Sequence, residues 1–132
     1  MIVSEAKNVG LKVFCHVNVD LNIKNAIKAD VSSIEHGFFI SEENIYMIKD
    51  YNVEWTPTIN ALYSITKFLN KEEKKYINSI IDRHIKMVYL TSNIGVKLNI
   101  GSDSGSKGIE HCNSFFEEIN FFKKLGVDFK QT

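Results

Sequence analysis

Three side chains suited to activating water stand at or just past the ends of short apolar runs. His16 closes Lys12-Val13-Phe14-Cys15-His16-Val17, and His36 closes Val31-Ser32-Ser33-Ile34-Glu35-His36-Gly37. Asp103 follows Val96-Lys97-Leu98-Asn99-Ile100-Gly101. If the runs are parallel strands, their carboxyl ends converge, and three potential ligands from three strands point into one pocket. Imidazole and carboxylate together suit zinc or another divalent ion of intermediate hardness. A bound water, acidified by such an ion, attacks a carbonyl, so hydrolysis is the natural chemistry. Taken singly, each residue reads better as a hydrogen-bonded polar group at a strand end. Their shared position is what favours a site.

Other polar residues carry less. Tyr63 follows Pro57-Thr58 and can reach over the pocket from a loop as a substrate contact, or pack beneath that loop. His84 shares an apolar helix face with Ile77, Ile80, Ile81 and Val88 and reads as a packed histidine rather than a ligand. Cys15 precedes His16 on a strand and must face the other side, which makes a Cys-His nucleophilic pair awkward and a small buried hydrophobe the better reading. The segment 101–108 is rich in glycine and serine, but it lacks the Gly-Lys-Ser/Thr ending of a phosphate loop and has an acid at its centre.

The elements that position these residues alternate along the chain. Gly10 ends a first helical stretch, and the run 12–17 follows as a strand. Asp20 caps a helix carrying Leu21, Ala26, Ile27 and Ala29, and 31–37 returns to extended structure. Ser41, followed by Glu42 and Glu43, starts a helix to about Tyr51. Val53-Glu54-Trp55-Thr56 is a third strand stopped by Pro57. A long amphipathic helix runs from about Lys71 to Gly95, 96–101 is a fourth strand, and Phe115, Ile119, Phe122 and Leu125 mark a last helix before Gly126. Such alternation implies an α/β fold with parallel strands and right-handed crossovers, either a doubly wound sheet or part of a (β/α)8 barrel. A small flavodoxin-like binding domain has the right length, but it leaves the strand-end histidines unexplained.

Composition narrows the partners. The 132 residues hold 16 Lys plus Arg and 16 Asp plus Glu, so no broad basic field exists for nucleic acid or anionic lipid. The two cysteines form no CxxC, which argues against a disulfide framework or zinc ribbon and fits a reducing cytoplasm. No basic segment followed by an apolar run opens the sequence, and no stretch is long enough to span a bilayer, so the expectation is a soluble, unprocessed chain.

Val13-Phe14-Cys15-His16, Ser33-Ile34-Glu35-His36-Gly37, the Trp55-Thr56-Pro57-Thr58 segment and Gly101-Ser102-Asp103-Ser104-Gly105 occur in the order found in amidohydrolases. The chain resembles the imidazolonepropionase and prolidase-like branch of that superfamily over nearly its whole length. The resemblance implies a partial TIM barrel, about strands five to eight with their helices, with residues 1–132 forming the C-terminal half of an amidohydrolase barrel domain. It implies that His16 is the metal-binding histidine of the fifth strand and His36 that of the sixth. Asp103 would be the aspartate of the eighth, touching metal and moving protons as the catalytic carboxylate. It further implies that His111, after the Asp103 loop, contacts substrate. The cofactor implied is a divalent metal, zinc first, and the substrate a small-molecule amide or dipeptide whose C–N bond is hydrolysed.

The departures are as informative. The family carries a His-x-His pair on its first strand and usually a lysine or other bridging ligand on its fourth. Neither occurs here, where the histidines are His16, His36, His84 and His111. A full barrel needs roughly 250 residues. The expectation is therefore a fragment: either a piece of an active hydrolase, or an inactive remnant or subunit that completes a split barrel with a complementary N-terminal half. An open half-barrel would also be prone to self-association.

Overall fold

A computed structural model of the chain describes residues 2–106 and 108–129. Helix α1 (Ile2–Asn8) leads into strand β1 (Phe14–Val17), and helix α2 (Asp20–Lys28) into β2 (Ser33–His36). Helix α3 (Glu42–Asp50) precedes β3 (Glu54–Thr56). A short helix α4 (Ile59–Ile65) with a 3-10 turn (Thr66–Phe68), the long helix α5 (Lys71–Asn93) and helix α6 (Asn113–Leu125) complete the order. The three strands form one parallel sheet in the order β1-β2-β3, with His16 opposite Glu35 and Val17 opposite His36. This is the α/β architecture that the alternation of periods predicts.

The expected fourth strand over 96–101 forms no regular strand among the described residues and meets β3 through a parallel bridge between Trp55 and Leu98. Two backbone bonds make it: Trp55 N–H to Lys97 O at 3.1 Å and Asn99 N–H to Trp55 O at 2.9 Å. Beyond it, Gly101 packs so close to β3 that a Cβ there would lie 2.5 Å from Thr56 Cγ2. Pairing is thus replaced by a close crossing that only glycine permits.

One face of the sheet is the core. Val17, Ile34, Trp55 and Leu98 point into it and meet Ile23 and Ile27 of α2, Ile45 and Ile48 of α3 and Val88 of α5, all buried. Five fully buried isoleucines of this set each contribute about 2 kcal/mol by leaving water. The opposite face carries Phe14, His16, Ser33, Glu35, Glu54 and Thr56, and is partly open: Phe14 is 57% exposed. Parallel sheets are normally covered on both faces.

Local signals explain most boundaries. Ser41 Oγ accepts from Asn44 N–H at 3.2 Å and caps α3 as expected. Asn70 caps α5 in a full capping box with Glu73. Asp20, expected as a cap, is instead the first residue of α2, after Val19. Its carboxylate accepts from Ser41 N–H and Asn44 Nδ2, both at 2.7 Å, and so ties the starts of α2 and α3 together. Helix α4 stands where a loop was expected. No helix is long and apolar enough to cross a membrane among the described residues.

Candidate functional site

By alternation His16 faces the open side of the sheet, whereas His36, two residues after Ile34, belongs to the core side. The backbone overrides that parity. His36 adopts φ 67°, and its ring meets that of His16 edge to face at 4.7 Å between centroids. The turn is fixed from behind. Trp55 Nε1–H donates to His36 O at 3.0 Å, and Gly37, at φ 63°, leaves room for the indole, since a Cβ there would lie 3.0 Å from Nε1. This is why glycine follows the histidine.

Thr58, after Pro57 at the end of β3, is also left-handed at φ 48°. For a β-branched residue that costs on the order of 1–3 kcal/mol. Its Oγ1 lies 2.8 Å from His36 Nδ1. Asp103 is a third left-handed residue, at φ 51°. Its loop is held by a relay of hydroxyls: Ser102 to Ser104 at 2.6 Å, Ser104 to Ser114 at 2.7 Å, and Ser114 donating to Glu110 O at 2.6 Å. Ser106 reaches Asp103 Oδ2 at 3.5 Å.

His16, His36 and Asp103 line one cavity of about 230 Å³. Its remaining wall is mostly apolar, with Phe38, Leu62, Ile65 and Ile109. His36 is 8% exposed, and burial lowers its pKa below the ordinary 6.5. Asp103 opposes that shift, His16 adds to it and Glu35 opposes it. Burial thus favours the neutral imidazole, the form a ligand must take. A Thr58 hydroxyl on Nδ1 is the kind of outer contact that fixes a ligating histidine's tautomer. The donor types fit a divalent ion, with the two imidazoles as its nearest pair. Among the described residues, however, no three His, Cys, Asp or Glu side chains close into a metal-holding cluster.

The other residues singled out from sequence lie elsewhere. Tyr63 is on α4, stacked on Phe121 of α6 at 4.6 Å and 6°. It lines a separate groove with Lys67 and Lys124, because the segment after Thr58 is a helix and carries its side chain away from the histidines. His111 is exposed beside Gly105, whose added Cβ would come within 3.6 Å of its Nε2, and it does not line the cavity. His84 is 1% exposed and packs edge-on against Trp55 at 5.3 Å and Phe38 at 5.4 Å. Its Nε2–H donates to Pro57 O at 2.8 Å, and burial lowers its pKa to about 4. Cys15 packs against the core, and burial, then Glu35, raises its thiol pKa.

Two residues next to the site escaped sequence reasoning. Phe38 bridges the His36 and His84 rings at 5.6 and 5.4 Å. Glu118 of α6 is fully buried and accepts from Ile59 N–H at 2.7 Å and Asn60 N–H at 2.6 Å, which caps the start of α4. Burial raises its pKa to about 7, against the two amide bonds that lower it. A glutamate on the same helix face as Ile119 and Phe122 is the signal that marks it, since an acid is rarely buried without partners.

No family model matches the chain. In sequence it is 29% identical over 112 residues to ochratoxinase of Aspergillus niger, covering 82% of this chain and 23% of that protein. It thus spans about a quarter of the length of the curated relatives it matches. In structure it superposes on a Xaa-Pro dipeptidase with bound methionine in the active site, at TM-score 0.75 and 26% identity, over 96% of this chain and 32% of that one. It also superposes on A. niger ochratoxinase at TM-score 0.78 and 26% identity, over 95% and 28%. A bottromycin amidohydrolase shares the fold at TM-score 0.71 and 19% identity, over 97% and 39%. In sequence and in fold, the chain is similar to proteins of the amidohydrolase superfamily.

Proposed function

We propose that this chain supplies part of a metal-dependent site that hydrolyses the C–N bond of a small amide or dipeptide. The observation that carries the reading is one cavity lined by His16, His36 and Asp103, which come from the ends of β1 and β2 and from the loop after the Leu98 bridge. His16 and His36 would hold a divalent ion, zinc by donor type, with Asp103 lining the same cavity. When bound, the ion acidifies water and polarises the scissile carbonyl. The residues do the rest. Thr58 fixes the His36 ring, Asp103 takes a proton from the attacking water and returns it to the leaving nitrogen, and Phe38, Leu62, Ile65 and Ile109 exclude water around an apolar substituent of the substrate. His111 and Tyr63, outside this cavity, contact substrate only if it extends past the cavity rim.

In this reading the three strands and the bridged segment are strands five to eight of an eight-stranded barrel, and the chain works in the cytoplasm. A second reading is that the chain is inactive alone and completes its barrel with a complementary N-terminal half or a second copy. Two observations favour it. The described residues close no three-ligand cluster, and the outer edge of β1 has no partner strand there, with Leu11, Phe14 and Val19 exposed near it.

Elemental analysis of the purified chain after zinc loading, with and without a co-expressed N-terminal half, tests both readings when joined to an assay on apolar dipeptides and cyclic amides. Retention of zinc that depends on His16 and His36 supports the site. Turnover only with the second half supports the split barrel. Zinc retention unchanged in a His16→Ala/His36→Ala variant rejects the site.

A further inference from the structure

Thr58 occupies the position before α4 where a threonine hydroxyl ordinarily caps the helix, yet its side chain makes no capping bond. Its left-handed backbone turns the hydroxyl to His36 instead. The capping falls to Glu118, which binds the amides of Ile59 and Asn60 from another helix. Holding the Ile59 amide fixes the peptide plane after Thr58, and with it the direction of the Thr58 side chain.

We propose that Glu118 is the positioning residue of the site: by clamping the start of α4 it keeps Thr58 left-handed, so that Thr58 Oγ1 accepts a hydrogen bond from His36 Nδ1–H and leaves the Nε2 lone pair free. The carboxylate is suited to this role because each of its two oxygens meets one of two adjacent amides in a charge-assisted bond. Without it, Thr58 loses the contact that offsets its backbone strain and relaxes toward the extended region, as an ordinary helix cap does. The hydroxyl then leaves His36. The inference rests on His36 belonging to the site, but it concerns the imidazole itself and holds for the metal-free chain.

The test is the tautomer of His36, read from the ring nitrogen shifts of ¹⁵N-labelled, metal-free protein at pH 8. In the wild-type chain the Nδ1–H form dominates. Glu118→Gln, which puts an NH2 donor in place of one of the two accepting oxygens, lowers the Nδ1–H to Nε2–H ratio about tenfold, the worth of one hydrogen bond. Thr58→Val has the same effect, Thr58→Ser restores the wild-type ratio, and Glu118→Gln adds nothing in the Thr58→Val background. His84, bonded to Pro57 O, keeps its Nε2–H form throughout. If Glu118→Gln does not fold, Glu118→Asp replaces it, since its shorter carboxylate reaches one amide and lowers the ratio in the same direction. A wild-type His36 in the Nε2–H form, or a ratio unmoved in a folded Glu118 variant, overturns the proposal. Because no metal or turnover enters the measurement, failure of the hydrolase reading would leave this result standing.

Discussion

Removing the Glu118 carboxyl should change how stability depends on pH, in a window set by two buried groups that oppose each other. Glu118 moves from an ordinary value near 4.5 to about 7 on folding. Between those values the folded chain holds a proton that the unfolded chain has released, so stability from this group is present below pH 4.5 and is lost as pH rises through 7. His84 moves the other way, from 6.5 to about 4. There the unfolded chain holds the extra proton, so its stability is present above pH 6.5 and is lost as pH falls through 4. Each shift corresponds to about 3 kcal/mol at roughly 1.4 kcal/mol per pH unit. From pH 4.5 to 6.5 the two nearly cancel. Glu118→Gln removes one of them and exposes the other. Urea denaturation of wild type and variant at half-unit pH steps should show their stability difference shrinking by about 2 kcal/mol between pH 4.5 and 6.5, then levelling off above pH 8. Wild type should stay the more stable throughout, because glutamine leaves one amide of α4 unpaired at a cost of about 1–3 kcal/mol. Curves that run parallel from pH 4.5 to 8 would refute the reasoning, since they would mean that Glu118 binds no extra proton in the folded state.

Zinc titration should show His36→Ala losing metal affinity by tenfold or more while His84→Ala, whose ring is committed to Pro57 O, changes it little; equal losses would count against the site. The isolated chain should retain zinc only weakly and turn over substrate little or not at all; hydrolysis that survives chelator washing and disappears in Asp103→Asn would show that this chain alone suffices. Gly37→Ala should lower stability by about 1–3 kcal/mol in thermal unfolding, because it forces a side chain into a left-handed position 3.0 Å from the Trp55 indole. His84→Phe should remove the acid-side loss between pH 6.5 and 4 that His84 confers, a change visible as a flatter melting temperature over that range.

Much of this arrangement was readable in the sequence, and what was not has a physical cause in each case. The short β-branched and aromatic runs marked β1, β2 and β3, and the spacing of Ile77, Ile81, Ile85 and Val88 marked α5, because both rest on burial of apolar side chains. Helix α4 was hidden because it is seven residues long, follows Pro57, and lacks a side-chain cap of its own. Its cap is Glu118, a contact between distant segments that no local pattern records. The 96–101 run has the composition of a strand but forms no regular strand among the described residues, since pairing depends on neighbours as well as composition. Of the candidate site residues, His16, His36 and Asp103 share a cavity, whereas Tyr63 was placed on a loop that is in fact a helix.

The meeting of His16 and His36 shows where sequence reasoning reaches its limit. Strict alternation assigns them to opposite faces of the sheet, because His16 pairs with Glu35 and not with His36. They meet because the chain leaves the extended region at the last residue of β2, and the same departure recurs at Thr58 and at Asp103. Each is a non-glycine residue in a left-handed conformation, and each carries a polar side chain that the turn delivers to the cavity side. Such strain persists only where the surroundings impose it. Here they do so by identifiable means: the Trp55 indole on His36 O, Glu118 on the amides after Thr58, and the serine relay around Asp103. A polar residue merely satisfied at a strand end has no need of a strained backbone held by a separate partner. Of the six left-handed non-glycine residues among those described, these three, each braced by a different element, stand beside the cavity, and polar groups that must be aimed explain them better than the packing of a sheet.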